Sequence, residues 1–248
     1  MSAMAALGIA ATLSIPADAI DHEVARGLDT ELGEGHTGPD KPSGFEALLS
    51  NRPLLVFAAS TTLFHFANAA MLPLVGQKLA LVVGKEVGTS LMAACIVAAQ
   101  LVMIPVAVLV GRKADVWGRK PIFATGLAVL ALRGVLYTFS DAPAWLVGVQ
   151  LLDGIGAGIF GALFPLVVAD LTRGTGRFNV SQGAIATAQG IGAALSNAAA
   201  GAIVVAASYS AAFLALAAVA GAAFVVFVTA MPETVRRSEP ARPAEGGT

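Results

Sequence analysis

Charged side chains are scarce in this chain. Asp, Glu, Lys and Arg make up 12% of its 248 residues against 56% hydrophobic, about half the charged share of a soluble globular domain. A water-facing surface is hard to build from so few charges. Cysteine is nearly absent too: the single Cys95 has no intrachain partner, which excludes a disulfide framework and a multi-cysteine metal site. No His-Glu-x-x-His spacing supplies a zinc protease, and no Gly-x-Ser-x-Gly elbow accompanies His65 to make a serine enzyme. The expectation is therefore a protein that is not an enzyme and holds no cofactor or metal. A net charge of −1 gives no reason to expect nucleic-acid binding.

What the chain has instead is long apolar runs, near Pro53–Gly76, Gly88–Val110, Pro121–Phe139, Ala144–Ala169, Val180–Ala207 and Tyr209–Met231. Buried strands of a parallel sheet last about 4–8 residues, whereas a bilayer crossing takes about 20 at 1.5 Å per residue. These runs match the second length, and in lipid a backbone satisfies its own hydrogen bonds by becoming helical. Six transmembrane helices are expected. Small residues crowd several of them, as in Gly154-Ile155-Gly156-Ala157-Gly158-Ile159-Phe160-Gly161 and Gly190-Ile191-Gly192-Ala193-Ala194. The first segment follows no strand and opens no βαβ unit, so close helix packing explains it better than a dinucleotide loop. Pro73, Pro105 and Pro165 mark places where a helix can kink or hinge.

The basic residues sort by side. With six spans, Arg26, Lys41, Arg52, Arg112, Lys113, Arg119, Lys120, Arg173, Arg177, Arg236, Arg237 and Arg242 fall on one face, and only Lys78 and Lys85 on the other. The positive-inside rule then makes both termini cytoplasmic, in what is expected to be a bacterial inner membrane. Three regions are expected: 1–52, a truncated helix remnant (Met1–Pro16) followed by an acidic cytoplasmic linker; 53–231, the bundle; and 232–248, a disordered cytoplasmic tail. A signal peptide at the start is disfavoured, because no Lys or Arg precedes the first apolar run.

Between the second and third runs stands Gly111-Arg112-Lys113-Ala114-Asp115-Val116-Trp117-Gly118-Arg119-Lys120-Pro121. This resembles the signature loop of the major facilitator superfamily, a Gly, three residues, an Asp, then Gly-Arg-Lys. The family carries it between helices two and three and, more weakly, between eight and nine. Val116 replaces the usual basic residue after the Asp, which suits the weaker copy. Asp170–Asn179 and Met231-Pro232-Glu233-Thr234 are similar to the family's second half as well. The resemblance covers about Pro53 to Arg237. It implies helices seven to twelve of a twelve-helix transporter, built as two inverted three-helix repeats. It also implies a partner amino-terminal bundle, a small-molecule substrate moved by alternating access, and gating by Gly111, Asp115, Gly118, Arg119 and Lys120. Proton-coupled efflux is the mode expected, although the family's antiporter motif lies in helix five, so the direction stays open.

Within the runs only Arg133 and Asp153 are formally charged. A charge at mid-membrane costs about 2.5–3.5 kcal/mol on insertion scales, so each is expected to face protein or water. Counted at 1.5 Å per residue, they lie roughly 9 and 14 Å below the same end of antiparallel neighbours, close enough for an ion pair. His65, roughly 18 Å above the other end, is near mid-membrane too. His65, Asn68, Arg133, Gln150, Asp153 and Gln189 form the candidate substrate or proton site; a buried structural pair with helix-bridging amides is the alternative. A self-contained six-helix transporter acting as a homodimer remains the other functional reading.

Overall fold

The computed structural model describes residues 10–16 and 51–235. The expected linker and most of the expected tail lie outside the described residues, as does the start of the expected helix remnant, of which residues 10–13 are helical. From residue 52 onward seven helices follow: α1 (Arg52–Ala69), α2 (Met71–Val83), α3 (Lys85–Trp117), α4 (Arg119–Leu136), α5 (Pro143–Thr172), α6 (Phe178–Ala206) and α7 (Tyr209–Ala230). Together α1 and α2 make one span of 32 residues.

Local chemistry sets the boundaries. Asn51 caps α1 by accepting from the Leu54 amide at 3.2 Å, and Ser208 caps α7 by accepting from Ala211 at 3.1 Å. The chain turns from α3 into α4 at Gly118, whose φ of 89° is open to glycine and strained for other residues. α1 stops at Ala69 because Pro73 has no amide to donate to the Ala69 carbonyl and its ring crowds that carbonyl. Ser196 on α6 accepts the Ala70 amide at 3.2 Å beside this break. Pro105 and Pro165, by contrast, sit inside α3 and α5 without dividing them. Of the three proline positions read from sequence, only the first breaks its helix.

Five of the spans are long and apolar enough to cross a membrane on composition alone, among the described residues. α4 completes the six-helix bundle. It is 18 residues long and carries Arg119, Lys120 and Arg133, the first two at its end and the third paired inside the protein. The packing has a two-fold pattern. α3 lies on α5 as α1 lies on α6; α7 lies on α1 as α4 lies on α5; and α4 and α7 lie on each other. Exchanging the first three spans with the last three maps each contact onto another, with the direction of each span reversed. The fold is an all-α membrane bundle of two inverted three-helix repeats.

Glycine sets how closely the helices approach. A Cβ on Gly158 would come 2.8 Å from the Met103 carbonyl of α3, and one on Gly192 would come 2.8 Å from the Thr62 carbonyl of α1. Packing of this kind replaces the hydrophobic effect as the attraction between helices in lipid. The interior between them is aromatic: Phe57, Phe64, Phe123, Phe160, Phe164 and Phe227 form a continuous set of ring contacts 5.0 to 5.9 Å apart.

Candidate functional site

Two polar clusters stand out, each centred on an arginine of α4. The first is inside the bundle, at the level of the α1–α2 break. Arg133 is on α4 with Tyr137 one turn on as its C-cap, Gln150 and Asp153 are one turn apart on α5, and Asn68 and Met71 flank the α1–α2 break. The Tyr137 hydroxyl donates to Gln150 Oε1, Gln150 Nε2 donates to Asp153 Oδ2 at 3.0 Å, and Arg133 Nη1 donates to Asp153 Oδ1. Arg133 Nη2 donates to Asn68 Oδ1 and points at Met71 Sδ, 3.2 Å away. The guanidinium is 2% exposed and the Asp153 carboxylate 23%. One cation and one anion thus neutralise each other inside the bundle, with neutral dipoles filling the other sites.

Four of the six mid-membrane residues read from sequence, Asn68, Arg133, Gln150 and Asp153, come together here. Two do not. His65 Nδ1 lies 3.0 Å from its own helix's Thr61 carbonyl, with the ring edge-on to Phe160 at 4.8 Å. Gln189 is buried on α6 with its amide nitrogen unpartnered among the described residues. Tyr137 was missed by sequence reasoning, although its spacing of four from Arg133 on one helix was there to be read.

The second cluster is at the end of the bundle that holds Arg52, Arg173 and Met231, called here the basic end. Arg119 Nη1 donates to Asp170 Oδ2 and, at 3.0 Å, to the Leu166 carbonyl; Nη2 donates to Asp115 Oδ1 at 3.1 Å. The Glu233 carboxylate accepts the Arg119 amide at 3.0 Å and the Lys120 amide at 3.2 Å, so an anion sits at the positive end of α4. A Cβ on Gly118 would lie 2.6 Å from Glu233 Oε2. Arg119 therefore ties together α3, α4, α5 and the segment after α7.

The expected signature loop needs one correction. Most of it is helix: α3 continues through Asp115 to Trp117, since Arg, Lys and Ala propagate a helix and only Gly118 breaks it. Gly111 lies within α3 with open space beside it, so sterics give no reason for glycine there. Asp115 does pair with Arg119, and Asp170 is the more enclosed of the two carboxylates on that guanidinium. Asp170 is 11% exposed, whereas Asp115 is 76% exposed. Lys120 contributes its amide, and its side chain lines an apolar groove of about 520 Å³ between α4 and α7.

Residues 57–248 match the family model of the Major Facilitator Superfamily. The chain belongs to this superfamily. Two relatives, each described as an uncharacterized MFS-type transporter, come from Mycobacterium tuberculosis strains CDC 1551 and H37Rv; each is 62% identical over 235 residues, which is 95% of this chain. The chain spans about half the length, 55%, of these curated relatives. The superfamily is one of membrane transporters, and membership sets the chain among integral membrane proteins rather than enzymes. At the end opposite Arg119, Lys78, read from sequence only as a topological cation, is buried: it pairs with Asp141 and lies 5.8 Å from the Phe213 ring centre.

Proposed function

We propose that the chain is one half of a secondary transporter that moves a small solute by alternating access, with the other half an amino-terminal six-helix bundle. The observation that carries this is the mid-membrane cluster built on the broken first span. A buried ion pair reaching both sides of a helix break, in a family of transporters, is a place where protonation or solute binding can act on backbone geometry. Asp153 is the proton-accepting candidate, since it is the only carboxylate in the cluster and retains partial exposure. The Arg119 cluster is the gate at the basic end: its contacts with α3, α5 and Glu233 join helices whose relative movement would open that end.

The partner bundle is placed against α3 and α6, the two least covered spans and counterparts of each other under the two-fold pattern. On α6 the uncovered face carries a stripe of Gly183, Thr187, Gly190, Asn197 and Gly201 beside the exposed Ile191 and Leu195, and such a small and polar stripe suits a packed helix better than acyl chains. The basic end is read as cytoplasmic. In a Cys95→Ala background, Glu86→Cys should react with an impermeant reagent outside intact cells and Trp117→Cys should not; the reverse pattern would invert the topology.

The function is tested in proteoliposomes holding this chain joined to the amino-terminal remainder of the Mycobacterium tuberculosis relative. Screened against a panel of small solutes with an internal pH dye, they should show solute-evoked proton movement that Asp153→Asn abolishes. Solute movement indifferent to Asp153→Asn would leave the cluster a structural fastener. Equal transport by this chain alone would favour a homodimer.

A further inference from the structure

We propose that the basic end holds a second site, distinct from the Arg119 gate, that binds a phosphoryl anion at the level of the lipid headgroups. It is a cavity of about 410 Å³ between the starts of α1 and α6 and the end of α5, lined among others by Arg52, Thr172, Thr175, Arg177 and Ser181. Two helix N-termini meet here, each with a partial positive charge; Asn51 caps α1, so the first-turn amides without a side-chain cap are those of α6. Both break the usual rule for such an end. Arg52 is the first residue of α1 and Arg177 is the N-cap of α6, and neither helix has an acidic residue in its first turn or, for α6, a side-chain cap. Neither arginine has an ion-pair partner among the described residues.

Behind these cations lies an unused donor. Ser181 is fully buried, lines the cavity, and its hydroxyl has no hydrogen-bond partner among the described residues. The neighbouring polar groups are committed. Thr172 donates to Val168 at 2.7 Å, Thr175 donates to Thr172 at 2.6 Å, and the Asn51 amide donates to the Leu171 carbonyl at 3.0 Å. The last bond also covers a carbonyl that would otherwise repel an anion. Topology alone calls for cations at one end of a membrane protein, but not for a buried orphan hydroxyl behind them. Two arginines, uncapped amides and a free hydroxyl fit a tetrahedral oxyanion, either the phosphodiester of an anionic lipid or free phosphate.

The test is native mass spectrometry of the purified chain in detergent, titrated with phosphatidylglycerol or phosphatidylcholine, with and without inorganic phosphate. Phosphatidylglycerol should bind in preference. Arg52→Gln and Arg177→Gln should each weaken it about fivefold, and Ser181→Ala about tenfold. Lys113→Gln, an equal charge change on α3 outside the cavity, should change it less than twofold. Ser181→Ala removes an unsatisfied buried group, so the thermal midpoint should hold or rise, separating lost binding from lost folding. Phosphate that displaces the lipid, and whose own stabilisation of the protein is lost in Ser181→Ala, would name the free anion as ligand. Lipid binding untouched by phosphate would name the headgroup. An unchanged affinity in Ser181→Ala, with equal losses for Lys113→Gln and Arg177→Gln, would overturn the site and leave only a diffuse surface potential.

Discussion

Arg133 and Arg119 lie on the same helix, fourteen residues apart, and each gathers oxygen acceptors from neighbouring helices. Their surroundings differ. Arg133 is sealed within the bundle with one carboxylate and two uncharged partners, so its charge has no route to water and depends on Asp153. Arg119 stands at an end with two carboxylates, one enclosed and one open to solvent. There, water and salt can take over part of what is lost when a contact opens. The same side chain is thus sealed against its partners in one place and set beside solvent-reachable partners in the other.

Substitutions at the two arginine clusters should differ in cost. The largest effect is expected at the sealed site: Arg133→Leu or Asp153→Leu alone leaves an uncompensated buried charge and should cost about 3–5 kcal/mol, read as a lower unfolding midpoint in detergent. At the basic end Asp170→Asn should cost about 1.5–3 kcal/mol, because it removes a charged acceptor from a largely enclosed guanidinium. Gly118→Ala should cost on the order of 1–3 kcal/mol through its positive φ and the crowding by Glu233; an unchanged midpoint would mean the α3–α4 turn relaxes freely. Asp115→Asn should be the mildest, within about 1 kcal/mol, since its pair with Arg119 is exposed. If Asp115→Asn destabilised more than Asp170→Asn, the order of the two carboxylates would be reversed.

Much of the fold was legible because it follows from length and charge. Runs of twenty apolar residues have one stable form in lipid, and cations sort to one side of it. Arg133 and Asp153 could be matched because opposite charges in apolar spans are few, and helical rise converts sequence position into depth. Asn68 and Gln150 followed as nearby amides. Met71 did not, since a thioether beside a guanidinium has no sequence signature. His65 and Gln189 were grouped with the cluster by depth alone, which says nothing about which way a side chain faces around the helix. The roles of Asp170 and Glu233 depend on contacts 51 and 114 residues away from Arg119. A motif read along the chain brought Asp115, four residues from Arg119, to the front and left the distant acids behind.

The proline at 73 teaches a related point. Three prolines looked alike in sequence, yet only the one beside Asn68 and Met71 divides its helix, and the side chains on both sides of that break meet Arg133. In the proposed function, an ion pair placed on this break connects its charge state to backbone geometry. That coupling is the reason Asp153, rather than the exposed acids of the basic end, is put forward as the proton acceptor.

The central claim is that Arg133 and Asp153 act as one neutral unit, and a double-mutant cycle tests it most directly. Thermal unfolding in detergent is measured for the parent chain, Arg133→Leu, Asp153→Leu and the combination of the two. Replacing both partners of a buried pair can be nearly neutral, so the double variant should recover most of the stability that either single change removes. Losses that simply add would show that each charge is held by a different partner, and the account of the mid-membrane cluster would be wrong.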